Sequence, residues 1–182
     1  SSLPGAATRE LIHSSNLNNA SDAEYDLGST FGYQWEIFLS LQSAGSGSQL
    51  LMNYAKADQN YSSFNTTYGN HQINYNGTTI QNTNAQVSDV PIVNPNIPAY
   101  NSTQAHSTLN SHLFLYQDRL GVSGTSYRRP QLFGRSTVSN DPNTYFTTHM
   151  PQVTDQLRYI KFKANSGNIH GNIRIFRIKL GL

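Results

Sequence analysis

Asp22, Glu24 and Asp26 alternate near the start of the chain. On a strand they would share one face, because strand side chains repeat every second residue. Three carboxylates so placed could bind a calcium ion or supply the acid and base of a glycosidase. The simpler reading, and the favoured one, is a solvated edge strand whose charges discourage pairing with another chain. The densest basic cluster is Arg128-Arg129-Pro130, with Tyr127 before it and Arg135 close behind. Tyr127, Arg128, Arg129 and Arg135 form a candidate contact patch for an anionic glycan, an acidic partner or nucleic acid. A plain charged loop is the competing reading. So few cations make a poor nucleic-acid surface, since non-specific binding rests on many phosphate contacts.

Other chemistry is harder to find. The histidines are His13, His71, His106, His112, His149 and His170, none paired at metal-binding spacing. Gly45-Ser46-Gly47-Ser48 has the wrong spacing for a nucleophile elbow. No phosphate-binding glycine loop occurs. The expectation is a chain that is not an enzyme and carries no cofactor or metal.

Any such residues must be positioned by strands. Trp35, Ile37, Leu39 and Leu41 fall on one face of Gln34–Leu41, with Gln34, Glu36 and Ser40 opposite, which predicts a half-buried strand. Leu50, Met52 and Tyr54 repeat the pattern after the Gly/Ser turn at 43–48. Leu113 and Leu115 alternate with His112, Phe114 and Tyr116. Ile160 and Phe162 alternate with Lys161 and Lys163. Ser166-Gly167-Asn168 is a hairpin turn. After it, Ile169, Ile173 and Ile175 share one parity while Phe176, Ile178 and Leu180 share the other. A bulge at Ile175–Phe176 would produce that switch; a strand buried on both faces is the alternative. No stretch keeps helical apolar spacing for three turns, and Asp22–Leu27 offers at most one short turn. Residues 69–107, rich in Asn, Gln, Thr and Pro, read as a long extended connection with one edge strand near Ile73–Ile80.

Composition agrees with an all-β chain. Of 182 residues only 12% are charged and 11% are aromatic, there is no cysteine, and the net charge is +2. Ser, Thr, Asn and Gln supply the polarity. This excludes a charged coiled coil, a disordered chain, a disulfide framework and a bulk nucleic-acid binder. No run of 18 apolar residues occurs, so no membrane insertion is expected, and Ser1–Thr8 lacks the basic and apolar regions of a signal peptide. The length suits a single domain able to bury ~70% of its unfolded surface. The charges are polarised: residues 1–118 hold eight acids and two bases, residues 119–182 ten bases and two acids. Either strands from both ends interleave and the asymmetry averages out in space, or a basic face meets an acidic neighbour. The simplest architecture is an all-β, two-sheet antiparallel jelly-roll sandwich, a single domain over 1–182 with a short extended arm at about 1–8.

The order of these elements resembles a jelly-roll module of tailed-bacteriophage virion proteins, mainly tail-fibre and other receptor-binding appendages. Leu11-Ile12-His13-Ser14-Ser15 stands where the module has its first strand. Tyr25-Asp26 stands at the step into its aromatic and aliphatic strand, here Tyr33–Leu41. Gly45–Ser48, Gln49–Tyr54 and Asn60-Tyr61 fill the turn, strand and tyrosine step that follow. The strongest match is the closing hairpin, Ile160 to Ile169, followed by Gly171 to Ile178, where Phe176 replaces a tyrosine and Arg177 a glycine. The motifs define strands rather than a site. The resemblance implies a non-enzymatic structural protein on the virion surface. It would be of the tail-fibre or receptor-binding type, a homotrimer touching other virion proteins and a host glycan or surface protein. Tyr61, Tyr68, Tyr75 and Tyr100 are candidate contacts. The alternative is a capsid decoration protein that stabilises the phage head, with Ser1–Thr8 as the arm that pins it.

Overall fold

The computed structural model describes residues 8–28, 33–45, 47–61, 67–75, 80–85, 90–91, 97–101, 107–117, 129–139, 141, 144–151 and 155–179, with only the backbone path at 67–75, 80–85, 90–91, 149 and 151. Among the described residues the regular structure is all strand. The strands are β1 (Arg9–Ala20), β2 (Asp22–Asp26), β3 (Tyr33–Ser43), β4 (Leu50–Ala55), β5 (Thr67–Tyr75) and β6 (Ile80–Ala85). They continue with β7 (Val90–Pro91), β8 (Leu109–Tyr116), β9 (Gln131–Val138), β10 (Thr144–Pro151), β11 (Tyr159–Ala164) and β12 (Ile169–Lys179). They form a large sheet ordered β1-β12-β3-β8-β9-β10-β5-β6 and a small sheet ordered β2-β11-β4-β7. Every pairing between named strands is antiparallel. No helix among the described residues is long and apolar enough to cross a membrane.

The alternating strands behave as their sequences dictate. Trp35, Ile37, Leu39 and Leu41 point inward from β3 and are buried, as are Leu109, Leu113 and Leu115 on β8 and Ile173 and Ile175 on β12. The small sheet answers with Tyr25, Met52, Tyr54, Ile160 and Phe162, and all of these join one apolar cluster. Each large side chain taken fully from water stabilises the fold by about 1.5–3 kcal/mol before entropy is counted. The hairpin expected at Ser166-Gly167-Asn168 does not form: β11 pairs within the small sheet and β12 within the large one, so the turn carries the chain from one sheet to the other, with Gly167 at a φ of +73°, a left-handed conformation that glycine adopts without strain.

The pairing is nested. β1 pairs with β12, β2 with β11, β3 with β8 and β4 with β7. Early acids therefore meet late bases. Arg177 donates to Glu10 at 2.7 Å, and Arg158 grips both oxygens of Asp26 at 2.7 and 2.8 Å. Lys161 stands opposite Glu24 and Lys163 opposite Asp22. Part of the charge polarity of the sequence thus reflects the strand pairing, although Glu36 pairs with the early Arg9 and the early Lys56 with the late Asp155.

Three other expectations need correction. Asp22–Asp26 is the favoured edge strand, and the short helical turn offered at Asp22–Leu27 does not form, because backbone pairing to β11 holds the chain extended. β12 has no bulge at Ile175–Phe176: it pairs with β3 without a break from Ile169 opposite Ser43 to Lys179 opposite Tyr33. The register shift lies in β1, between Leu11 and His13, opposite those residues. The parity switch arises because β12 is apolar on both faces, with Ile173 and Ile175 in the core and Phe176 packed outward against Phe38. Finally, the stretch 69–107 carries most of β5 and all of β6 and β7 where one edge strand is expected. The β5–β6 hairpin is held through the backbone by β10, which needs no apolar alternation.

Candidate functional site

The outward positions of the large sheet hold the most distinctive chemistry. Inward parity on β3, β8, β9, β10 and β12 leaves Phe38, Phe114, Phe133, Phe146 and Phe176 on the opposite face. Phe133 and Phe146 are 41% and 44% exposed, unusual for so apolar a side chain. Direct cross-strand pairing sets Phe38 beside His112 and Phe114 beside Phe133.

The rings form a connected row. Phe176 meets Phe38 edge-on, with centroids 5.8 Å apart. Phe38 stacks on His112 at 4.4 Å, His112 leans on Phe114 at 4.6 Å, and Phe114 stacks on Phe133 at 5.2 Å. Gly134 lets this happen. A Cβ there would lie 2.8 Å from Leu113 Cα and closer still to the His112 carbonyl oxygen, so any larger residue would push β9 away from β8.

Charge on this face is lopsided. Glu36 is its one carboxylate among the described residues, and it accepts from Arg9 Nε at 2.8 Å and His112 Nε2 at 2.7 Å. Arg9 also lies over the Phe176 ring, 3.7 Å from the centroid. Arg135 and Arg174 have no acidic partner among the described residues; Arg174 sits 5.9 Å from the centre of the Phe38 ring.

Three depressions run together across the face. One of about 330 Å³ lies among Phe114, Phe133, Phe146 and Arg135. It shares His112 and Arg135 with one of about 460 Å³ that continues past Phe38 and Arg174. That in turn shares Ser40 and Asn172 with a third of about 350 Å³, bounded by Tyr100, His170 and Gln42. There Tyr100 stacks on His170 at 3.7 Å, nearly parallel, and is 43% exposed. The trough thus has an aromatic platform at each end and amides, hydroxyls and guanidiniums between.

The residues expected from sequence fare unevenly. Of the basic patch, Arg135 joins the trough on β9. Arg129 precedes that strand and is half-buried, while Tyr127 and Arg128 lie outside the described residues. Asp22, Glu24 and Asp26 do share one face of an edge strand. They look toward Lys163, Lys161 and Arg158, and no group of three metal-ligating side chains occurs among the described residues. Arg158 holds the Asp26 carboxyl below its ordinary value. Nearby Tyr61, under Lys161 at 3.9 Å, is pushed well above the usual phenol range by burial and then by Glu24. Of the other candidate tyrosines, Tyr100 joins the trough, and the side chains of Tyr68 and Tyr75 lie outside the described residues.

The aromatic row escaped the sequence reading. Its signal was present: Phe38 shares parity with Glu36 and Ser40, where polar residues are expected. No family model matches the chain, and neither a curated protein nor a solved structure matches it.

Proposed function

We propose that the chain is a non-enzymatic structural protein of a tailed-phage virion surface, of the tail-fibre or receptor-binding type. Its core is read as a jelly roll. Nested pairing of β1·β12, β2·β11, β3·β8 and β4·β7 supports that reading, since a jelly roll is a long antiparallel hairpin rolled into two sheets. On this reading β5–β6 and β9–β10 are hairpin insertions that widen one sheet. Copies assemble as a homotrimer, which leaves other surfaces for virion and host contacts.

The observation that carries the binding role is the trough on the outer face of the large sheet. A rigid sheet that exposes aromatic rings beside amides and guanidiniums suits recognition of a large, polar, partly apolar ligand. Purified protein is expected to bind host cells and to block phage adsorption, and to scatter light as a trimer. Failure to bind cells, together with many copies on the head seen by electron microscopy, would transfer the reading to capsid decoration. Release of reducing sugar from host polysaccharide would overturn the non-enzymatic reading.

A further inference from the structure

We infer that the trough binds an acidic polysaccharide in extended form, its sugar rings on the Phe133–Phe146 and Tyr100 platforms and its carboxylates on Arg135 and Arg174. The inference rests on the receptor-binding reading and adds the ligand's chemistry.

Length comes first. From β12 to β10 the face crosses four strand spacings of about 4.8 Å, or about 19 Å, which is a groove for a chain rather than a socket for one ring. Ring chemistry comes next. The electron-rich face of an aromatic ring attracts the slightly positive C–H groups of a sugar. Phe133 and Phe146 offer such faces at one end, and Tyr100, already backed by His170, offers one at the other. Between them stand Ser40, Asn110 and Asn172, whose hydroxyl and amides match sugar hydroxyls.

Charge decides the class. Glu36 is committed to Arg9 and His112, so the face keeps two guanidiniums without a counter-charge among the described residues. A guanidinium binds a carboxylate through two parallel hydrogen bonds, and does so best where water is partly excluded, as beside Phe38 and Phe146. A second copy of this face would set like charge on like, which argues against self-pairing here.

The test uses the whole chain in titrations with polygalacturonate, polysialic acid, neutral dextran and poly-glutamate. Binding to at least one acidic polysaccharide, weakened by salt and exceeding that to dextran and poly-glutamate, is expected. The double variant Arg135→Gln and Arg174→Gln should keep its melting temperature and lose about tenfold or more in affinity. Phe146→Ser should lose a similar amount by removing a platform. No binding to either acidic polysaccharide, equal binding to poly-glutamate, or unchanged affinity in the folded double variant would each overturn the inference. So would a change of oligomeric state in Phe146→Ser, because a second copy would then cover the face. If the double variant still binds host cells like the parent, the ligand class falls while the receptor-binding role stands. Polysaccharide binding without cell binding would do the reverse.

Discussion

His112 stacks on Phe38 with ring centroids 4.4 Å apart and planes 14° from parallel, while its Nε2 donates to Glu36 at 2.7 Å. One imidazole thus ties the only carboxylate among the described residues of this face into the aromatic row. Removing that charge should expose the cationic character of the trough. Glu36→Gln keeps the side-chain shape, and its affinity for polygalacturonate should rise by about two- to fivefold, since it removes a unit of repulsion at partly screened range. Titration of parent and variant at matched salt reads the difference, and unchanged or weaker binding contradicts it.

Gly134 should not tolerate a side chain. Alanine there would press on the backbone of β8, so Gly134→Ala should cost about 1–3 kcal/mol and broaden the spacing that stacks Phe114 on Phe133. Urea unfolding measures the cost. A variant as stable as the parent would mean that the two strands do not approach this closely.

Gln117 closes a loop with both ends of its amide. Its Nε2 donates to the Asp155 carbonyl at 2.7 Å, and its Oε1 accepts from the Leu157 N–H at 2.8 Å. Gln117→Ala would leave the buried Leu157 N–H without its partner, at about 1–3 kcal/mol. Amide exchange at Leu157 should quicken as well. Slow exchange in the variant would contradict the clamp.

Asp26 gives the fold an acid-sensitive contact. Arg158 lowers the folded-state carboxyl pKa, so the unfolded chain takes up the proton more readily. The stabilisation is present above the ordinary value of about 4 and is lost as pH falls through the lower folded-state value. Both side chains are about two-fifths exposed, so the effect should be small and should shrink with salt. The stability gap between parent and Arg158→Gln should close as the solution is acidified. A constant gap from neutral to acid pH would speak against the pairing.

Charge swaps test the nested pairing directly. Lys163→Glu sets two acids opposite each other on β2 and β11 and should cost about 0.5–1 kcal/mol. Adding Asp22→Lys should recover most of that loss, as read by a double-mutant cycle. Independent, additive effects would sink the assignment.

The core strands were plain in the sequence because one face of each is wet and one is dry. Gln34–Leu41 and Tyr159–Ala164 carry that contrast without interruption, and Ser166-Gly167-Asn168 marks the turn. β5 and β6 were not legible as a hairpin: they hang on the end of the large sheet, where backbone bonds suffice and no strict apolar period is imposed. The trough was hidden for a different reason. Its residues come from separate strands, 38, 114, 133, 146 and 176, and only the cross-strand register brings them side by side. Arg135 was noticed for its neighbours in sequence, yet its surroundings are His112 and Phe146, brought by pairing rather than by succession.

β12 lies between β1 and β3, so these two strands complete their hydrogen bonding only against a segment made long after them. Loops closed over such sequence distances fold slowly. While the ribosome is still at work, β1 and β3 are left with open edges, the state in which strands pair with the wrong chain. The charges along Arg9, Glu10 and Glu36 would then guard the waiting edges first, and become ion pairs only when β12 arrives.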